Sequence, residues 1–116
     1  MRQAARNGYL EVVKFFISQG AEIEAKAEDK GTALNAACLK GHIEIVKFLV
    51  QRAAIINIVD KDGETPLINA CSGGRYDVVK FLIEKGADKT LINNKGQSAI
   101  DIAKEKGFSQ IVEILK

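Results

Sequence analysis

Two cysteines, one histidine and one proline are all that this 116-residue chain holds of the residues that most often staple, catalyse or break a fold. With only Cys38 and Cys71, a disulfide scaffold is excluded as the organising principle. The same scarcity fits a reducing, intracellular setting, with the cytoplasm as the expected location. No apolar run approaches the length of a transmembrane helix. The opening stretch Met1–Asn7 is polar and carries no signal-peptide core. A dominant charge is also missing: the formal net charge is +2 and both signs are mixed along the chain. That balance argues against nucleic acid or an anionic membrane as the main partner. What remains is ordinary for one globular domain, with 47% apolar residues available for a core. Natural and engineered origins are both compatible with this composition.

The chain is rich in internal repetition. Sliding it against itself by 33 residues aligns nearly all of it without a gap. Thr32-Ala33-Leu34 falls on Thr65-Pro66-Leu67 and then on Ser98-Ala99-Ile100. Ala4, Ala37, Ala70 and Ala103 share one slot, and Gly8, Gly41, Gly74 and Gly107 share another. Val12-Val13, Ile45-Val46, Val78-Val79 and Ile111-Val112 share the next pair.

Each slot has a physical reading. Thr65 suits a helix N-cap and Pro66 its first turn, where no backbone donor is needed. Leu67 and Ala70 then lie three apart on one face, with alanine small enough for a close helix contact. Gly74 ends this short helix. Asp77 favours the start of a second one, where a carboxylate suits the dipole. Val78, Val79, Phe81, Leu82 and Ile83 make the second helix apolar around most of its circumference, which predicts burial between neighbours. Gly86 fits the left-handed position that follows a helix. In the same slot stands Ala53, which a left-handed backbone would strain by about 1 kcal/mol. Asp60-Lys61-Asp62-Gly63 reads as a turn between units. Helices this short are marginal alone, so stability must come from stacking.

Period, residue types and order together resemble the ankyrin repeat over essentially the whole chain. Asp60, Gly63, Thr65-Pro66-Leu67, Ala70, Gly74, Val78-Val79, Leu82 and Gly86-Ala87-Asp88 carry the likeness. The resemblance implies an all-α repeat solenoid of about three and a half units, each a hairpin-like turn with two antiparallel helices. The expected organisation is a single domain over 1–116, with copies at about 1–26, 27–59, 60–92 and 93–116. The first copy is partial and compatible with a cap. Phe15, Phe16 and Ile17 keep its second helix apolar, so a longer parent protein stays open. In the last copy, Lys104 replaces Cys71 and Lys116 replaces Ile83, as expected of a C-terminal cap. Some slots depart from the family. The histidine after the Thr-Pro-Leu triplet is replaced by Asn35, Ile68 and Asp101, so the turn-stabilising hydrogen bonds are expected to differ. Ala27 and Asn93 stand in the Asp60 slot. Lys30-Gly31 carries its glycine one place late, which predicts a distorted turn.

The resemblance also implies a non-catalytic module that binds a protein or peptide, with no cofactor and no metal. Family partners usually contact the turn tips and the exposed face of the first helix. Carried over slot by slot, the turn set is Glu28, Asp29, Gly31, Lys61, Asp62, Glu64, Asn94, Lys95 and Gln97. The helix set is Arg6, Asn7, Leu39, Lys40, Ser72, Gly73, Glu105 and Lys106, and the residues leading into the turns are Lys26, Val59 and Ile92. The stretch Ala53–Val59 is far more apolar than its counterpart Gly20–Lys26. Apolar residues grouped on a polar surface often mark an interaction site, although isolated surface isoleucines are common. A monomer is expected, with self-association through this patch as the alternative.

Competing chemistries are weaker. His42 shares its slot with Tyr9, Arg75 and Phe108, so the position does not demand imidazole. A Cys38–His42 nucleophile would straddle Gly41, which ends the helix, and lacks a third orienting group. Cys38 and Cys71 stand one repeat apart, too far for a bridge if helices pack at their usual spacing. Metal ligands at workable spacing are absent. Lys14, Lys47 and Lys80 form a column that could contact phosphates, but each follows an acid by three residues (Glu11, Glu44, Asp77) and reads as a solvated face. Ser72-Gly73-Gly74 lacks the lysine and serine of a phosphate loop.

Overall fold

Short helices form wherever a cap is followed by a run of small or branched apolar residues. The computed structural model describes residues 1–23 and 31–116. Among these it contains eight helices and no strand: α1 (Arg2–Arg6), α2 (Leu10–Ser18), α3 (Ala33–Lys40), α4 (Ile43–Gln51), α5 (Pro66–Ser72), α6 (Tyr76–Glu84), α7 (Ala99–Glu105) and α8 (Ser109–Leu115). Thr65 caps α5, its side chain accepting from the Ile68 N–H at 3.2 Å, with Pro66 at the first helical position. Asp77 lies in the first turn of α6, as the dipole favours.

The histidine slot is refilled by two different acceptors. Asn35 Oδ1 accepts from the Thr32 N–H at 2.9 Å, and Asp101 Oδ2 accepts from the Ser98 N–H at 3.0 Å. Both complete capping boxes. The same hydrogen bonds hold the Asp101 carboxyl below its ordinary pKa. Ile68 cannot accept, and is buried instead.

Odd-numbered helices pack on one another in chain order, as do the even-numbered ones, giving a two-layered stack of 40 × 24 × 22 Å. The burial pattern corrects one expectation. The second helices are not the enclosed ones. In α6 only Val78, Val79 and Leu82 are buried, Phe81 and Ile83 are half-buried, and the rest of the helix is exposed. It is α3 and α5 that are enclosed, with every residue from Ala33 to Cys38 and from Pro66 to Cys71 buried. Each of α3 and α5 packs closely on a first helix at either flank, whereas α4 and α6 meet their flanking second helices more loosely and form an outer layer.

The glycine slot has a reason beyond helix termination. A Cβ on Gly8 would stand 2.9 Å from the His42 ring, and one on Gly74 would stand 2.8 Å from the Phe108 ring. Each unit thus lays a side chain over the glycine of the unit before it. His42 and Arg75 add a hydrogen bond in the same sense, to the carbonyls of Arg6 (2.9 Å) and Leu39 (3.0 Å). His42 therefore carries a stacking role. The lysine column is less paired than expected: Lys14–Glu11 forms an ion pair at 3.7 Å, but no such pair joins Lys47 to Glu44 or Lys80 to Asp77. Lys104 and Lys116 are exposed at the far end of the stack.

Ala53 has φ +66°, alone among described non-glycine residues in the left-handed region. The Ala53 and Ala54 N–H groups donate to Val50 and Leu49, closing a Schellman-type end on α4. Replacing Ala53 by glycine should therefore be neutral to stabilising by about 1 kcal/mol, the strain relief being offset by the entropy glycine adds to the unfolded chain. Urea titration would check this, and a clear loss of stability would show the strain argument to be wrong. Leu82 is fully buried. Leu82→Ala should cost about 2–5 kcal/mol through lost contacts and a residual cavity, measurable by the same titration.

Candidate functional site

Turn tips project from one edge of the stack, and their geometry is built by single acceptors. Asp60 Oδ1 accepts from the N–H groups of Asp62 (2.9 Å) and Glu64 (3.0 Å), while the Gly63 N–H donates to the Asp60 carbonyl. Asn93 performs the same task in the next turn, its Oδ1 accepting from Lys95 (2.9 Å) and Gln97 (3.0 Å). An amide oxygen substitutes for a carboxylate because the turn needs only an acceptor. The two tips are tied together: the Asn94 N–H donates to Asp62 O at 2.9 Å and its Nδ2 to Lys61 O at 3.0 Å.

Behind the tips runs a buried polar network. Asn35 Nδ2 donates to Asn69 Oδ1 (2.9 Å) and to the Ile58 carbonyl (3.0 Å), and Asn69 Nδ2 donates to Asp60 Oδ2 (3.2 Å). Asn35 and Asn69 are buried, so these bonds satisfy groups that would otherwise be costly. Glu64 is half-buried at the end of this network, within reach of Asn69 and Asn93. Desolvation raises its pKa above the ordinary carboxylate value; the Asn93 hydrogen bond opposes this, and the charges of Asp60 and Asp62 add to it.

A cleft of about 250 Å³ opens between this network and α1. It brings together four residues expected from the sequence, Arg6, Leu39, Lys61 and Asp62. It also recruits Arg2, Asn35, Ala36, Asp60 and Asn69, which were not expected at the surface site. Two signals for them existed: Arg2 shares the departing histidine slot, and Asn69 is a lone polar residue within the apolar run Pro66–Cys71. The other expected residues fall elsewhere. Asn7, Val59, Ile92, Asn94 and Lys95 are exposed, and Lys40, Ser72, Glu64 and Gln97 are half-buried. Asn94 and Gln97 are committed to internal hydrogen bonds, the latter donating to Glu105 at 2.7 Å. Gly31 is buried and not at a turn surface, because Asn35 and Asp60 crowd it. Lys26, Glu28 and Asp29 lie outside the described residues, as do Ala27 and Lys30 of the expected distorted turn.

The apolar stretch divides between interior and surface. Ala54 is buried and Ile56 packs on the core, while Ile55 and Val59 are exposed. Leu39, Val59 and Ile92 are 37%, 41% and 58% exposed, whereas their core neighbours Cys38 and Cys71 are fully covered. Burial pushes the Cys38 thiol far up and the Cys71 thiol up to about 12, which keeps both protonated and opposes nucleophilic use. Among the described residues no helix is long and apolar enough to cross a membrane, and no group of three or more His, Cys, Asp or Glu side chains gathers as for a metal ion.

A family model for ankyrin repeats, spanning three copies, matches residues 1–93 and again residues 56–116. Comparison with curated proteins finds no match.

One titration follows from Glu64. Its folded pKa is raised, so its contribution to stability is present below the ordinary carboxylate pKa and is lost as pH rises through the raised value. Glu64→Gln should therefore lose less stability than the parent as pH rises from the ordinary carboxylate pKa through the raised one. Denaturant midpoints across that range test it, and parallel profiles for the two proteins would contradict it.

Proposed function

Because the chain belongs to the ankyrin-repeat family, we propose that it is a non-catalytic binding module that takes a protein or peptide on its turn tips and concave helix face. Ankyrin repeats are generally protein–protein interaction modules and are typically non-catalytic. The observation that supports a surface for this chain is the exposure of Leu39, Val59 and Ile92, large apolar side chains contributed by two successive units. Stacked helices lie about 10 Å apart, so such side chains can form a strip that excludes water. Burying each against a partner is worth about 1.5–3 kcal/mol before the costs of association. Lys61, Asp62 and Lys95, all exposed on the tips, form a charged rim that governs specificity more than affinity. The two buried free thiols fit a reducing, intracellular setting.

Self-association is the second reading, favoured by a separate observation: Tyr9, Val12, Phe15 and Phe16 are all exposed on the first unit. Sedimentation over a concentration range separates the two, since a monomer at high micromolar concentration removes the second.

For the first reading, the partner is captured by affinity purification and identified by mass spectrometry. Replacing Val59 and Ile92 together by lysine should then abolish its binding and leave the helical spectrum and melting curve unchanged. Normal binding by the double variant would remove the strip as the site. Failure to fold would show that those side chains belong to the core.

A further inference from the structure

Arg2 occupies the slot in which Asn35 and Asp101 accept a backbone N–H to complete a capping box. Arginine has no acceptor, so it cannot do that work. Arg2 instead lines the cleft. Its Nε is buried without a hydrogen-bond partner among the described residues. Arg6, one turn further along α1, lines the same cleft. Neither arginine makes an ion pair among the described residues. Both are permanently charged.

The opposite wall neutralises them only in part: it carries the carboxylates of Asp60 and Asp62, neither of them ion-paired with an arginine among the described residues. Asp60 is occupied, its Oδ1 by two backbone donors and its Oδ2 by Asn69. Lys61, on the same wall, is a third cation with no ion pair among the described residues. Leu39 adds an exposed apolar surface to the cleft. A cleft of about 250 Å³ suits one or two side chains rather than a larger ligand.

Resting on the reading of a binding module, we propose that this cleft receives an Asp or Glu side chain of the partner, between Arg2 and Arg6, with a neighbouring large apolar side chain on Leu39. The recognised element is therefore an acidic–apolar peptide segment. A carboxylate is planar and matches the forked donors of a guanidinium, which is the geometry in which an unpartnered Nε–H is best satisfied. A phosphate group would also match the donors. The carboxylates of Asp60 and Asp62 in the same cleft repel its higher charge more strongly, so the single-charged side chain is favoured.

The test selects binders to the full chain from a random peptide display library and measures chosen peptides by fluorescence anisotropy. The expected result is enrichment of Asp or Glu beside Leu, Ile or Phe. Arg2→Ala/Arg6→Ala should then weaken binding at least tenfold, the order expected for a charge-assisted contact. Arg6→Gln alone provides the same readout, with a smaller loss, should the double variant melt early. Replacing the peptide's acid by phosphoserine should not tighten binding. Peptides without acidic bias, acidic peptides that bind the arginine variants normally, or tighter binding of the phosphoserine form would each overturn the proposal. Non-acidic peptides that lose binding to the Val59→Lys/Ile92→Lys variant would leave the module reading standing while this inference fails. Peptides indifferent to both variants would remove both.

Discussion

The close approach of the first helices is the constraint on which everything else in this stack depends. Ala37, Ala70 and Ala103 are fully buried where α1, α3, α5 and α7 meet, and Cys38 and Cys71 beside them are equally covered. Small side chains let helix backbones come close, and a larger residue in that column would drive neighbouring units apart. The glycine column depends on the same approach, because His42, Arg75 and Phe108 cross onto Gly8, Gly41 and Gly74 only when the units are in contact. Among the described residues no helix is longer than nine residues, so none would persist without these contacts.

Close packing along the first helices forces the polar ends of the units together, and the fold answers with a connected set of hydrogen bonds. Asp60 and Asn93 each organise one turn, Asn94 ties one tip to the other, and Asn35 and Asn69 join the helices to the turns. Held in this way, the tips form one hydrogen-bonded edge. The same network consumes side chains that look available in the sequence. Asn94 and Gln97 are spent on structure, whereas Lys61, Lys95 and Val59 stay exposed.

Much of the fold was legible because repetition multiplies weak signals. A threonine before a proline is a modest hint once, but Thr32, Thr65 and Ser98 at a constant interval leave little room for another reading. The expected left-handed backbone at Ala53 was legible for the same reason, since its slot otherwise holds Gly20 and Gly86. The candidate surface was legible only in part. Leu39, Val59 and Ile92 could be found because slots that packing does not dictate vary between copies, and all three are exposed. Arg2, Asn35 and Asn69 escaped notice because they occupy slots near the core, and only the stacking of consecutive units turns those slots toward a common cleft.

By itself the sequence determined the period, the helix limits, the caps and the residues that terminate each unit. These are local matters: a cap is satisfied within four residues, and a left-handed turn depends on one side chain. It also determined that units must stack, since none could bury its apolar face alone. Which helix would be enclosed was decided by tertiary structure. The apolar content of α6 pointed to that helix, yet α3 and α5 are buried throughout, because burial depends on how closely the neighbours of a helix approach it and not on its own hydrophobicity. The ion pairs were decided there too. Glu11 and Lys14 meet at 3.7 Å, while the equivalent pair Asp77 and Lys80 does not close. An exposed pair gains so little in water that side-chain entropy and neighbouring contacts settle whether it forms.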